Sequence, residues 1–232
     1  MKRPLSLLIF FLPFALLGCL QSAPTEAKFD ALPLPEEDNL PDSAVIATLG
    51  GGCFWCVEEV FHQIPGVLSA VSGYMGGKES TANYEDVCSG RTEHAEVVQV
   101  HFDPEIISYE KLLEHFWKSH DPTQLNRQGP DRGPQYRSVI FTHSAEQATA
   151  ATASKEALAA SGAHGKKPIA TQIAEEMTFY PAEDYHQNYA RLNPGNRYLH
   201  AQLWPKLAKL GMIIPTGTAT TEIKGSGAKP KP

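Results

Sequence analysis

Apolar positions cluster and partly alternate along the middle of the chain, and they predict both strands and helices there. The strand candidates are short and rich in β-branched residues; they cover 44–49, 67–74, 95–102, 137–142 and 173–179. One helix candidate begins at 57, and three more cover 108–119, 144–161 and 198–210. A serine starts each of the candidates at 108 and 144. Pro205 would kink the last candidate unless a helix begins there. Because strands and helices interleave irregularly, we expect a mixed sheet with helices packed on it, in the α+β or α/β sandwich class.

The first 18 residues have the pattern of a secretory signal. Lys2 and Arg3 precede an apolar run at 5–17, which is shorter than the roughly 20 residues that a spanning helix needs. The run closes on Gly18-Cys19, which resembles a bacterial lipobox, so we predict a signal peptide over 1–18 and a lipid on Cys19. An ordinary signal that is cut elsewhere is the alternative. The prediction implies an exported lipoprotein, anchored to a membrane of the cell envelope.

Both ends of the mature chain differ in composition from its middle. Residues 19–43 are rich in Pro, Ala, Glu and Asp, and 213–232 are rich in Thr, Gly, Lys and Pro, so we predict a disordered tether and a disordered tail. Residues 44–212 remain as one domain of common size, which we expect to be a monomer. The 20 basic and 26 acidic residues give a formal net charge of −6, which argues against nucleic acid as a partner.

The strongest chemical signal is Gly-Gly-Cys-Phe-Trp-Cys at 51–56. A strand candidate, a glycine turn and a helix start place Cys53 where backbone N–H groups and the helix dipole favour a thiolate. Phe54 and Trp55 are costly to expose, so beside a reactive sulfur they indicate a pocket for an apolar group. The segment is therefore interpreted as a redox or nucleophilic cysteine site.

Four polar residues allow both a functional and a simpler interpretation. Glu96 lies inside an otherwise apolar strand candidate, where a raised pKa would make it a proton donor, although alternation favours a side chain that points to water. Tyr84 and Tyr136 are by residue type more often core than catalytic. Asp131 lies in a turn-rich loop at 128–136, of a kind that either carries function or simply connects elements.

A series of motifs runs in order along residues 47–210. The motifs are Gly-Cys-Phe-Trp at 52–55, Asn-Tyr-Glu-Asp-Val-Cys-Ser-Gly at 83–90, His-Ala-Glu-Val-Val at 94–98, His-Asp-Pro-Thr-Gln at 120–124, Gln-Gly at 128–129 with Asp131, Gln-Tyr-Arg-Ser at 135–138 and Ala-Glu-Asp-Tyr-His-Gln at 182–187. The series resembles the A-type peptide methionine sulfoxide reductases. Several motifs in one order are specific, and they favour the functional interpretation of Glu96, Tyr84 and Tyr136.

The resemblance implies an enzyme that reduces the S epimer of methionine sulfoxide, in proteins or free, on a ferredoxin-like α+β core with a central mixed sheet. By position in the motifs, Cys53 would be the nucleophile, and Phe54 with Trp55 would hold the ε-methyl group of the substrate. The enzyme would repair oxidised proteins without a metal or bound cofactor, and a thioredoxin-like dithiol would regenerate it. Attack by Cys53 would leave a sulfenic acid on its sulfur.

The resemblance also assigns the polar residues. Glu96, Tyr84 and Tyr136 would bind and protonate the sulfoxide oxygen, and Asp131 would help to organise them. A sulfoxide is a poor electrophile until its oxygen is protonated or hydrogen-bonded, so the chemistry requires an acid near the thiolate.

The chain departs from the commonest family pattern at its other cysteines. Cys56 stands where glycine is usual, and Leu199 stands where many relatives of the Gly-Cys-Phe-Trp-Cys subset carry a cysteine. We therefore predict that Cys56, one helical turn from Cys53, resolves the sulfenic acid as a disulfide. Cys88 is the alternative resolver, and a zinc site formed by the three cysteines with His94 is conceivable although it lacks a second close ligand pair.

Two other functions remain open at this point. A Cys-x-x-Cys sequence in an exported protein also suits a general thiol–disulfide oxidoreductase, although Phe54-Trp55 is unlike the usual thioredoxin dipeptide. A non-enzymatic lipoprotein that binds a surface partner would need only the lipobox and the tether.

Overall fold

The computed structural model describes residues 40–215. The strands are β1 (Val45–Gly51), β2 (Val67–Met75), β3 (Ala95–Phe102), β4 (Arg127–Gln128), β5 (Asp131–Arg132), β6 (Ser138–Thr142), β7 (Gln172–Glu175) and β8 (Tyr180–Pro181). The helices are α1 (Phe54–His62), α2 (Tyr84–Cys88), α3 (Tyr109–Ser119), α4 (Ala145–Ala160), α5 (Tyr189–Leu192), α6 (Arg197–Gln202) and α7 (Trp204–Leu210).

The main sheet has six strands in the order β7-β6-β1-β3-β2-β8. Its centre, β6-β1-β3-β2, is antiparallel throughout, whereas β7 pairs with β6 in parallel. Numbered along the chain, the four central strands stand in the order 4-1-3-2, which with helices after the first and third strands is the ferredoxin-like arrangement. The prediction of an α+β fold with a mixed sheet is confirmed.

The helices cover one face of the sheet and build the larger part of the core there. Alternate residues of the central strands, Leu49, Val98 and Ile140 among them, pack in one buried cluster with α1, α3, α6 and α7. A smaller cluster on the other face contains Val97 and Phe141. Strand β3 is buried on both faces, and this decides the environment of the polar residue near its start.

The helix boundaries follow the capping residues. The Ser108 hydroxyl accepts a hydrogen bond from the Lys111 N–H at the start of α3, and the Ser144 hydroxyl does the same for the Gln147 N–H at the start of α4. Both predicted helices are confirmed. The helix predicted over 198–210 is divided at Leu203 into α6 and α7, because Pro205 occupies the first turn of α7 and supplies no N–H for a continuous helix.

The strand predicted over 173–179 is wrong beyond residue 175. Strand β7 ends at Glu175, and the chain then crosses to the opposite edge of the sheet, where β8 pairs with β2. Phe179 packs so closely on the backbone of β2 that a Cβ added to Gly73 would lie 2.4 Å from its ring. Phe179 therefore covers the sheet instead of extending strand β7.

The predicted signal peptide and its lipidation site at Cys19 lie outside the described residues, as do most of the tether and most of the tail. Between residues 40 and 215, no helix combines the length and the apolar character that crossing a bilayer requires.

Candidate active site

The cysteine pair lies at the turn between β1 and α1. Gly52 has φ +99°, and a Cβ there would lie 2.6 Å from Cβ of Gln128, so this position requires glycine. Cys53 is the N-cap residue of α1 and is 9% exposed. Cys56 lies one turn further, with its N–H donating to the carbonyl of Cys53 at 3.0 Å and its side chain in hydrogen-bonding reach of the Cys53 sulfur.

Glu96 is buried beside this turn, with 1% of its surface exposed. Its Oε2 accepts a hydrogen bond of 3.0 Å from the N–H of Phe54, the first residue of α1. Burial raises the pKa of Glu96 to about 8, although the Phe54 N–H opposes that shift. The interpretation that Glu96 points to water is wrong, because alternation puts it on the same face as Val98, and α1 covers that face.

Burial opposes the thiolate that is expected at Cys53. Burial raises the pKa of Cys53 well above its ordinary value, and the hydrogen bond with Cys56 and the nearby carboxylates of Glu96 and Asp131 raise it further. The Phe54 N–H that would have stabilised the sulfur is directed at Glu96. Burial therefore favours the protonated forms of both Cys53 and Glu96.

Tyr84 and Tyr136 face the same site from α2 and from the 3-10 turn Pro134–Tyr136. Burial raises the pKa of both phenols, and the charges of Cys88, Glu96 and Cys53 raise it further. Both hydroxyls also lie in hydrogen-bonding reach of the Cys88 thiol. They remain protonated donors at any working pH, as binding of a sulfoxide oxygen requires.

The aromatic pair beside Cys53 is held rigidly. The Trp55 ring stacks on Tyr189 with centroids 3.8 Å apart and planes at 14°, and its Nε1–H donates to Nδ1 of His186 at 3.0 Å. Burial lowers the pKa of His186 to about 4, so this histidine is a neutral acceptor. Phe54 is buried against the same imidazole, with ring centroids 5.0 Å apart.

Two residues of the motif at 182–187, to which no role was assigned, support the site. His186 fixes Trp55, as described above. The carboxylate of Glu183 accepts 2.9 Å hydrogen bonds from the N–H of Tyr84 and the hydroxyl of Tyr74, so it holds the start of α2. The motif at 182–187 was the only sign in the sequence that these two residues have a role. Their polar contacts join segments about a hundred residues apart, so the local sequence pattern does not reveal them.

A small cleft of about 70 Å³ reaches both sulfurs, and its lining includes residues that sequence reasoning missed. Tyr198 and Gln202 of α6 and Lys206 of α7 line it together with Asp131. The Tyr198 hydroxyl donates to Oδ2 of Asp131 at 2.5 Å. Asp131 is thus bonded on the Cys56 side of the site and not to Glu96 or the two catalytic tyrosine candidates.

Cys88 and His94 are engaged away from the cysteine pair. Cys88 faces the two tyrosine hydroxyls, and His94 is fully buried with Nε2 at 3.0 Å from the carbonyl of Lys78. Within residues 40–215, no group of three or more histidine, cysteine or carboxylate side chains is placed to hold a metal ion.

The arrangement combines a nucleophilic sulfur, a protonated carboxyl group, phenol donors and an apolar aromatic wall. A substrate with a polar oxygen next to a methyl group would meet the donors and the wall at once, with its central atom facing Cys53. A second thiol in contact with Cys53 can then form a disulfide. Such a site can reduce an oxygen bonded to sulfur.

Comparisons with known proteins point to the same chemistry. Residues 45–214 match the family described as peptide methionine sulfoxide reductase. A protein of Leptospira borgpetersenii named peptide methionine sulfoxide reductase MsrA is 53% identical over 163 residues, which cover 70% of this chain and 91% of the relative. Its namesake in Polynucleobacter asymbioticus is 53% identical over 75% of this chain and 90% of the relative.

Solved structures agree with the fold. The reduced form of Mxr1 from Saccharomyces cerevisiae has a TM-score of 0.64 at 38% identity, covering 68% of this chain and 90% of that one. Methionine sulfoxide reductase A of Corynebacterium diphtheriae also has a TM-score of 0.64, at 34% identity, covering 75% of this chain and 88% of that one.

Proposed function

Because the chain belongs to the peptide methionine sulfoxide reductase family and reduces methionine sulfoxide, we propose that it acts on the S epimer with Cys53 as nucleophile and Glu96 as acid. The observation that carries this assignment is the contact network of these two groups. A carboxyl group with a pKa of about 8 is held by the N–H next to Cys53 and lies close enough to influence the sulfur.

In the first step, the sulfoxide oxygen accepts hydrogen bonds from Glu96, Tyr84 and Tyr136. The Cys53 sulfur attacks as Glu96 delivers its proton to the oxygen, the oxygen passes to Cys53, and the sulfide leaves as methionine. The thiol proton of Cys53 returns to the Glu96 carboxylate, so the step consumes no net proton. Phe54 and Trp55 supply the apolar wall for the ε-methyl group.

In the second step, Cys56 attacks the sulfenic acid on Cys53, a disulfide forms and water leaves. A thioredoxin-like dithiol then reduces the disulfide. The two sulfurs lie in hydrogen-bonding reach of each other, which supports Cys56 over Cys88, whose thiol faces the tyrosines.

Three serine variants test these assignments. Changing Cys56 to Ser should preserve about one methionine formed per enzyme and abolish steady turnover with thioredoxin, because the sulfenic acid has no resolver. Cys53→Ser should form no methionine, and Cys88→Ser is the matched control that keeps turning over. Continued turnover in Cys56→Ser together with loss in Cys88→Ser would reverse the assignment of the resolver.

A parallel assay separates the proposal from a general thiol–disulfide oxidoreductase. The protein should reduce dabsyl-methionine S-sulfoxide with dithiothreitol and be a poor reductant of insulin disulfides. Fast insulin reduction without sulfoxide reduction would refute the proposal, and absence of both activities would leave the partner-binding lipoprotein.

We also propose that the enzyme is an exported monomeric lipoprotein, with lipid on Cys19 and with 19–43 as a tether. The apolar run that closes on Gly18-Cys19 supports this location, and several acyl chains would anchor it stably where one would not. Intact-mass measurement of membrane-extracted protein, beside the Cys19→Ala variant, should show the acyl mass in the parent alone. An unlipidated parent in the soluble envelope fraction would contradict the proposal.

A further inference from the structure

The proposed reaction leaves the ammonium group of Lys206 without a role. Lys206 is half-buried on α7 and lines the small cleft that also contains Cys53 and Cys56. It forms no ion pair with any carboxylate in the described part of the chain, whereas the buried Arg191 pairs with Glu59. Its positive charge therefore lies in the cleft of the two cysteines, where it also interacts with the carboxylate of Asp131.

The groups around Cys56 shift the pKa of its thiol in opposite directions. The hydrogen bond from Cys53 lowers its pKa most, burial opposes this, and the Lys206 charge and the Tyr198 hydroxyl lower it further. Asp131 opposes the lysine, but the hydrogen bond from Tyr198 occupies one oxygen of its carboxylate. Glu96, on β3, also interacts with Cys56 and rests protonated.

We propose that Lys206 is a positioning residue for the second half-reaction, which holds Cys56 as the thiolate when Cys53 carries the sulfenic acid. The proposal rests on the proposed function, because it assumes that Cys56 is the resolver. The residues on the two sides of Cys53 then serve different steps. Glu96 takes part in reduction of the substrate, and Lys206 assists formation of the Cys53–Cys56 disulfide.

The step balances without a further reactant. The Cys56 thiolate attacks the sulfur of Cys53, the S–S bond forms and the S–O bond breaks. The leaving hydroxide takes up the proton that Cys56 lost, so one water is produced. Cys56 is oxidised and the sulfur of Cys53 is reduced. The positive charge of Lys206 stabilises the Cys56 thiolate before the attack.

The expected size of the effect follows from thiol chemistry. Removing an opposite charge from a partly buried site raises a thiol pKa by roughly one to two pH units. Each such unit lowers the thiolate fraction about tenfold below the pKa, while the more basic thiolate regains about threefold in nucleophilicity. The disulfide should therefore close about three- to tenfold more slowly near neutral pH.

The experiment uses the purified full chain as parent, Lys206→Met and Lys206→Arg. Each reduced protein receives one equivalent of a methionine S-sulfoxide peptide without reductant, between pH 6 and 9. Dimedone added at intervals traps the remaining sulfenic acid on Cys53, which mass spectrometry quantifies together with the methionine formed. Lys206→Met should trap several-fold more sulfenic acid, with a rate profile displaced to higher pH, and Lys206→Arg should behave like the parent.

Each result decides the matter. If Lys206→Met closes the disulfide at the parent rate with the parent pH profile, the proposal is wrong, while the proposed function stands. If Met and Arg variants are equally slow, packing and not charge is responsible, and the proposal is also wrong. Cys56→Ser in the same assay should retain its sulfenic acid; if it loses the acid as fast as the parent, the proposed resolver and the lysine assignment both fail.

Discussion

The substitution Glu96→Gln removes an acidic proton and preserves the shape of the side chain and an acceptor for the N–H of Phe54. With a pKa of about 8, about nine in ten of these carboxyl groups are protonated at pH 7; at an ordinary pKa near 4.5 only about one in 300 would be. General acid catalysis contributes about 10²- to 10⁴-fold. We expect the first turnover to slow by at least about 100-fold, which corresponds to about 2.7 kcal/mol.

The measurement is methionine formed in a single turnover, quenched in acid, between pH 6 and 9.5. The parent rate should fall as pH rises through about 8, since the Glu96 proton is then lost. In Glu96→Gln the rate should be low at every pH, and its pH profile should show no fall near pH 8. Single turnover isolates this step from disulfide formation and from the external reductant.

Glu58→Gln is the matched control. Glu58 is also 1% exposed, and burial raises its pKa to about 8 as well, but its partners are Asn188 and Ser72 and not the sulfur site. If Glu96→Gln turns over within about threefold of the parent, the acid assignment is refuted, and water or a tyrosine supplies the proton. If both variants lose activity equally, the loss reflects the replacement of a buried carboxyl group and not catalysis.

Two further predictions concern stability and substrate binding. The folded pKa of Glu58, about 8, lies above the unfolded value, so its contribution to stability is complete below pH ~4.5 and is lost as pH rises through about 8. The unfolding free energy of the parent should therefore fall relative to Glu58→Gln by up to about 1.4 kcal/mol per pH unit between pH 5 and 8 in urea titrations, and parallel curves would contradict this. The Trp55→Phe variant loses the hydrogen bond to His186 but can still stack on Tyr189. KM for a sulfoxide peptide should therefore rise about fivefold, with a smaller change in kcat. An unchanged KM would show that the indole N–H does not position the aromatic wall of the substrate site.

The pattern of neighbouring residues was sufficient to predict most of the longer helices and strands. The strand at 95–102 and the two serine-capped helices are present at nearly the predicted positions, because period and capping are properties of neighbouring residues. The burial of Glu96 was not predicted from pattern. Alternation assigns a residue to a face of its strand, but which face is covered depends on where α1 packs, and that is a tertiary fact.

Some residues of the site could likewise be predicted from the sequence, and others could not. The residues proposed for the first step lie in motifs that are recognisable along the chain. Tyr198 and Lys206, by contrast, reach the sulfurs from α6 and α7 at the far end of the domain. A lysine on a short amphipathic helix has the pattern of a solvated surface residue, and only the packing of α7 against the cleft distinguishes it.

The state of Cys53 at rest connects these observations. Burial disfavours a negative charge on Cys53 and on Glu96 together, so both groups favour their protonated forms. A sulfoxide that takes the proton of Glu96 gains positive charge on its own sulfur, next to Cys53. In the proposed mechanism, the Glu96 carboxylate left behind accepts the thiol proton, and the positive charge on the substrate sulfur attracts the Cys53 sulfur as the attack begins. A thiol that ionises only against bound sulfoxide is protected from other oxidants between turnovers, because the thiolate is the form that they attack.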